Sequence, residues 1–426
     1  MKTMSVVKAG LGGGAALLLA GFLAAAPARA SAGGTVSCDT GKLIAAINAA
    51  NGSSGATINL APFCTYQLTT ASSPNAMLGD TGLPAIASRI TLNGFHTTIA
   101  GNNSTFRILL VTGSGNLTLN GLTITGGNTP GPGGGIFNLE GTLVLNHSRV
   151  TGNASAGGMM SAGGGIASGT MGTGPSGTAT LNYSQVNGNI TSGSAGGILN
   201  HAGTLTLNFS QVNGNTAAVG GGGIASGTGG MGGNSSSFLT VNFSQIDHNT
   251  SHGGPMAGAG GIANGGTATI NASQVNGNTA PGAFGGGILN HGAMTIKAST
   301  VNGNTAPTDS SGDQGGGGGI ANLNITPLTG VADSGVLTII LSQVTGNTAT
   351  GLGGGILEDG VNPNDTLGPP GGPLTLKFSQ VTRNSAAQGG GIYASTGSPV
   401  TLVITVVAKN RPDNCFPPHT IAGCKH

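Results

Sequence analysis

The sequence predicts an all-β solenoid, a parallel β-helix, and three observations predict it. A serine recurs at Ser148, Ser184, Ser210, Ser244, Ser273, Ser299, Ser342 and Ser379, and the shortest spacing is 26 residues (210 − 184). An aliphatic residue stands three before and another two after each serine, Leu145 and Val150 in the first copy, Leu376 and Val381 in the last. An asparagine stands five after it: Asn153, Asn189, Asn215, Asn249, Asn278, Asn304, Asn347 and Asn384. With 85 glycines in 426 residues and 6% charged residues the chain could pass for a glycine-rich linker, but linkers lack fixed apolar columns.

Each unit divides into three short strands, typified by "GGGIxN", "TLTLN" and "SQVxGN". In Thr204-Leu205-Thr206-Leu207 the alternation points leucine inward and threonine outward. Three strands and three corners in a unit this short make one coil, with aliphatic columns stacked one strand spacing apart, ~4.8 Å. Glycine precedes the asparagine at Gly152, Gly188, Gly214, Gly277, Gly303 and Gly346, which suits a corner of positive φ; His248 and Arg383 depart from it. The asparagines are expected to bond their copies above and below as a buried ladder.

The unit count predicts about eleven coils over residues 61–410, roughly 50 Å long. Residues 31–60 form an N-terminal cap in which 39–52 reads as a helix, capped by Asp39 or Thr40, buried through Leu43, Ile44 and Ile47 and ended by Gly52. Residues 411–426 form a C-terminal cap. Four cysteines allow three pairings; the local one, Cys38–Cys64 with Cys415–Cys424, pins one end each. Insertions swell the corner after "GGGI" at 167–177, 225–237, 321–335 and 357–373, and the corner before it at 250–259 and 305–314.

Residues 1–30 read as a secretory signal peptide: Lys2 and Lys8, an apolar run, then Ala28-Arg29-Ala30. Its removal takes three of 13 basic residues and leaves 10 against 11 acids, a net −1. No basic stripe remains for nucleic acid, and no second apolar span for a membrane. The expected location is extracellular or cell-envelope-associated, as a monomer without cofactor.

The words "GGGI" and "SQVNGNT" resemble the repeats of bacterial secreted right-handed parallel β-helix proteins of the polymorphic outer-membrane-protein type. The start "LIAAINAANG" resembles a "SLRxAIxxAN" entry segment, with Ile44 where arginine is usual. This resemblance implies a right-handed β-helix of adhesin-like role, a non-enzymatic scaffold whose corner loops contact a glycan or cell-surface ligand.

The same fold also hosts pectate-lyase-like and polygalacturonase-like enzymes, so the acids matter. Asp309 and Asp313 share one loop, and Glu358, Asp359 and Asp365 another, on different corners of adjacent coils; they read as solvated charge, with no catalytic and no metal residue assigned. His201 and His291, three coils and ~14 Å apart, are too distant to share a metal. Asp247 and His248 point to opposite faces, and "GTGPSG" at 172–177 lacks the helix of a dinucleotide site. One outward file is orderly: Thr180, Thr206, Thr240, Thr269, Thr295, Thr338 and Thr375, with Val144 the exception. It is an expected surface for binding, with ice as a further alternative, set against plain β-propensity on a solvent face.

Overall fold

The computed structural model describes residues 34–75, 77–102, 105–156, 162–170, 177–227, 237–253, 258–312, 315–325, 333–360 and 371–425. Residues 1–30, read above as a signal peptide, Asp313, Asp365, most of "GTGPSG" and much of the variable corners lie outside them.

The described chain is a parallel β-helix. Each "TLTLN" strand lies in register on the one a coil earlier: Thr178–Asn182 on Thr142–Asn146, Thr204–Asn208 on Thr178–Asn182, and so onward. One column of partners runs Thr57, Thr91, Thr118, Val144, Thr180, Thr206, Thr240, Thr269, Thr295, Thr338, Thr375 and Thr401. That makes twelve rungs, and the first, Ala56–Leu60, lies within the segment assigned above to the cap.

The inward residue after each of these stacks as a second column, from Ile58 and Leu92 to Leu376, and is buried there. The "GGGI" isoleucines stack likewise, from Leu109 through Ile136 and Ile392, and end on Cys415 of the C-terminal cap. With no charged side chain in either column, dispersion and hydrophobic burial hold the coils together, ~1.5–3 kcal/mol for each large aliphatic side chain. After the asparagine corner a fourth, two-residue run pairs between coils, as Ala154–Ser155 does with Ile190 and Thr191.

The corner before the asparagine has positive φ throughout. The glycines lie near 60–65°, and His248 (56°) and Arg383 (60°) adopt the same geometry despite their side chains. A second left-handed corner, unmarked by glycine, stands before each serine: His147, Tyr183, Phe209, Phe243, Ala272, Ala298, Leu341 and Phe378 all lie between 45° and 52°.

Both ends are closed as expected. The helix Thr40–Asn51 starts where Asp39 accepts from the Lys42 N–H and buries Leu43, Ile47 and Ala50. Disulfides join Cys38 to Cys64 and Cys415 to Cys424. Cys64 and Cys415 both sit in the main apolar cluster, so each bridge ties an end segment to the stack.

Candidate functional surface

The outward threonine file lies on the longest sheet. Every member from Thr57 to Thr375 is half-buried between its neighbours, with hydroxyls repeating at the strand spacing, ~4.8 Å, except at Val144. Two residues along each strand stands an asparagine, and these bond side chain to side chain without a break from Asn59 to Asn271. The ladder ends at Lys297, which pairs with Asn271 and has no side-chain amide to continue it. On the other side of the threonine file, Thr142, Thr178 and Thr204 form a shorter file that exposed Phe238 interrupts. The result is a regular face of hydroxyls and amides, with exposed Arg89 near its start and exposed Lys297 where the ladder stops as charged members.

From Asn146 onward, the residue after the outer ladder position of each rung occupies the second left-handed corner and is exposed. There His147, Tyr183, Phe209 and Phe243 stack ring on ring, with centroids 5.0, 5.0 and 4.9 Å apart and planes within 6° of parallel. The inner ring faces are covered by one another, so the file presents mostly edges. A sugar stacks on an open ring face, and the interior of this file offers none.

The expected asparagine corner ladder is present and longer than anticipated. Asn153, Asn189, Asn215, Asn249, Asn278, Asn304, Asn347 and Asn384 each donate from Nδ2 to the next Oδ1 at 2.9–3.1 Å, and Asn384 goes on to Asn410. All eight are buried, and Asn304 makes four bonds: to Asn347 Oδ1 and Val275 O, and from the Asn278 backbone N–H and Nδ2. The serines form a companion column in which each backbone N–H donates to the next serine Oγ, Ser184 to Ser210 at 3.1 Å for example. That is the reason for the invariant serine. These columns are structural.

A further ladder runs inside the "GGGIxN" strands, where the asparagine of that word marks it. Asn138 donates to Ser168, Asn200 to Ser226, Asn264 to Asn290, Asn290 to Asn322, and Asn322 to Oε2 of Glu358 at 2.9 Å. This corrects the reading of Glu358 and Asp359 as loop charge. The strand Ile356–Gly360 continues through them, pairing Glu358 with Asn322 and Asp359 with Leu323, and both are buried. Similarly, Ile325 pairs with Asp333 in a short antiparallel turn-back inside the 321–335 insertion. Burial pushes the Glu358 carboxyl up to about 9, helped by the neighbouring Asp359 charge and opposed by the Asn322 hydrogen bond. Glu358 is therefore a neutral acid at physiological pH. Burial, with Asp359 adding, also raises Tyr393, which stacks on Phe416 of the cap.

The other described acids serve local structure. Asp39 caps the helix, Asp80 accepts from the Asn75 N–H, Glu140 from the Thr170 hydroxyl, Asp309 from the Ser311 N–H, and Asp413 from the Gly390 N–H. Asp247 accepts from the Asn276 N–H in an outward rung, and burial raises its carboxyl. Among the described residues no three His, Cys, Asp or Glu side chains cluster as metal ligands. Register places His201 beside Gly169, and Asn264 beside Asn290, the residue before His291, so the two histidines remain on separate coils.

Arg107 is a buried cation missed in the sequence because it occurs once, outside the repeat. Its guanidinium donates to the carbonyls of Leu78, Gly79 and Pro132 and lies over the Phe137 ring at 5.3 Å. Burial lowers it to about 10, which leaves it charged, with Asp80 opposing the shift. Its partners are backbone carbonyls, so it clamps the 78–81 and 130–132 segments to the stack.

No family model matches the chain, and no curated protein matches it. Among solved structures, the mannuronan C-5 epimerase AlgE6 A-module of Azotobacter vinelandii is similar to 87% of this chain over 96% of its own, at 14% identity and a TM-score of 0.48. The β-helix assignment rests on the strand register of this chain. No helix among the described residues is long and apolar enough to cross a membrane, and the two disulfides suit an oxidising compartment.

Proposed function

We propose that the protein is a secreted or cell-envelope-associated, non-enzymatic scaffold of adhesin-like role that binds glycans. The observation that carries this reading is the outward face of hydroxyls and amides, where the threonine file and the Asn59–Asn271 ladder run side by side. Hydroxyls and amides at a fixed spacing suit a neutral polymer with its own hydroxyl repeat, and a pre-formed rigid face loses little entropy on binding. The corner insertions remain a second place of contact in this reading.

Against the lyase or hydrolase alternative, Glu358 is neutral and buried in a ladder, and the other acids with described contacts are held by turns and caps. A cleaving enzyme needs two carboxyl groups, or a base and a cation, facing one substrate bond. The Thr57–Thr375 file, broken at Val144, favours ice as a second ligand, because Thr178, Thr204 and Thr267 double it into a two-dimensional hydroxyl array on their rungs.

A glycan array separates these readings. The account expects binding to neutral glycans that weakens about tenfold in a Thr206→Ala, Thr240→Ala, Thr269→Ala variant of unchanged Tm. Inhibition of ice recrystallisation by the wild type, lost in the same variant without any glycan binding, would replace it with the ice reading.

A further inference from the structure

We propose that the outer edge of the last three rungs is a docking surface for anionic lipid. The second left-handed corner changes character along the solenoid. In the middle rungs it holds the self-covered aromatic stack beside the asparagine ladder. After Ala272 and Ala298 it holds Leu341 (65% exposed), Phe378 (51%) and Ile404 (76%) on successive rungs, as the backbone bonds Leu341 to Lys377 and Phe378 to Val403 require. Val403 and Val406, outward on the last rung, are also exposed, where the rung before has Lys377 and Gln380.

The charge beside this strip has one sign. Residues 336–345, 374–383 and 400–409 contain no Asp or Glu, and they carry Lys377, Arg383 and Lys409, all exposed. Lys377 pairs with Val403 directly, and Arg383 and Lys409 follow paired Thr382 and Ala408 at the glycine-type corner. Exposed aliphatic and aromatic side chains bordered by cations match the chemistry of an anionic headgroup layer over hydrocarbon. A polyanionic glycan would answer the cations and leave the apolar strip unused. A second copy, docked by two-fold symmetry, would set the same cations against themselves.

Ile404 supplies an independent argument. Its φ is 46°, a backbone region that β-branched residues avoid. Asparagine or glycine would fold there with less strain, so an isoleucine at 76% exposure is not there for folding. This inference stands apart from the glycan reading, which rests on earlier rungs of the same sheet, those of the Asn59–Asn271 ladder.

The test is co-sedimentation of the full chain with vesicles of phosphatidylcholine alone and of equal parts phosphatidylcholine and phosphatidylglycerol. Binding is expected to the anionic vesicles and to fall steeply with added salt. A Phe378→Asn, Ile404→Asn variant keeps residues that tolerate positive φ, and a Lys377→Gln, Lys409→Asn variant removes two cations; each should bind roughly tenfold more weakly at unchanged Tm. A Phe209→Asn control, at the same corner five rungs from Phe378, should bind like wild type. Equal partition to both vesicle types, wild-type binding by both double variants, or failure to bind either vesicle would overturn the proposal. So would a soluble dimer, or capture of an acidic protein, abolished by Ile404→Asn in a chain that ignores lipid.

Discussion

Asn322 donates from Nδ2 to Oε2 of Glu358 at 2.9 Å, so a carboxylic acid stands where the preceding rungs of that ladder have Asn264 and Asn290. The other carboxyl oxygen, Oε1, is buried without a hydrogen-bond partner among the described residues. An amide at this position would keep the Asn322 bond and carry no ionisation.

The pH dependence has a definite sign. The folded-state value, about 9, lies above the ordinary 4.5, so the folded chain binds a proton that the unfolded chain releases. The contribution is fully present below pH ~4.5 and is lost as pH rises through about 9, on the order of 1.4 kcal/mol per pH unit at most. Glu358→Gln should therefore leave stability nearly unchanged at pH 4 and raise it increasingly from pH 6 to 9, read as the gap between two Tm-against-pH curves. Parallel curves would mean that Glu358 is ionised in the folded protein.

Asn304 tests the corner ladder. Asn304→Ala removes the Oδ1 that accepts from the Asn278 backbone N–H and Nδ2 and the Nδ2 that donates to Val275 O and Asn347 Oδ1, in a buried column where a polar group left unsatisfied costs ~1–3 kcal/mol. Asn304→Asp should not rescue, because a carboxylate has no N–H for Asn347 Oδ1 and Val275 O. Chemical denaturation is expected to show a loss of several kcal/mol for both variants; a loss below ~1 kcal/mol would reduce the ladder to a geometric by-product of the repeat.

Two glycines separate backbone strain from crowding. At Gly303 an added Cβ meets nothing within 4 Å, but φ is 62°. At Gly287 φ is ordinary, but the Cβ would lie 2.7 Å from Gly319 O and 2.8 Å from Asn304 Cγ. Gly303→Ala should cost about 1 kcal/mol, and Gly303→Asn less. Gly287→Ala should cost several-fold more, since two coils must part. Equal losses in thermal unfolding would contradict this division.

Arg107 should behave as a clamp. Arg107→Met removes the donor for three carbonyls, and Arg107→Lys, lacking the planar fork, should recover little. Limited proteolysis is the direct readout: cleavage is expected to appear in the 69–81 segment of both variants before the coils unfold. Wild-type resistance in Arg107→Lys would show that a point charge suffices.

What was legible in the sequence was what repeats. The serine anchor, the aliphatic columns, the glycine corner with its exceptions at His248 and Arg383, and the Asn153–Asn384 ladder each occur eight times or nearly so, and all are found in place. The helix over Thr40–Asn51 was marked by its cap and its Leu43–Ile47 face. Features that occur once escaped: Arg107 has no copies, and Glu358 was hidden because an asparagine-to-glutamate change beside an insertion looks like loop charge. The left-handed corner before each serine escaped for another reason. Its residues are His, Tyr, Phe, Leu and Ala, none of which announces positive φ as glycine does. The aromatic stack was visible only as scattered rings until register brought His147, Tyr183, Phe209 and Phe243 into line.

The central claim, a binding scaffold without turnover, meets its most direct test in one assay. The protein is incubated with neutral and acidic polysaccharides, with and without Ca²⁺, while bound protein and released reducing or unsaturated ends are followed together. The account predicts that a neutral polysaccharide retains the protein, that the Thr206→Ala, Thr240→Ala, Thr269→Ala variant is released, and that product stays at the blank level. Steady product formation abolished by Asp359→Asn, in a variant with wild-type Tm, would contradict it and make the buried Glu358–Asp359 strand a catalytic site.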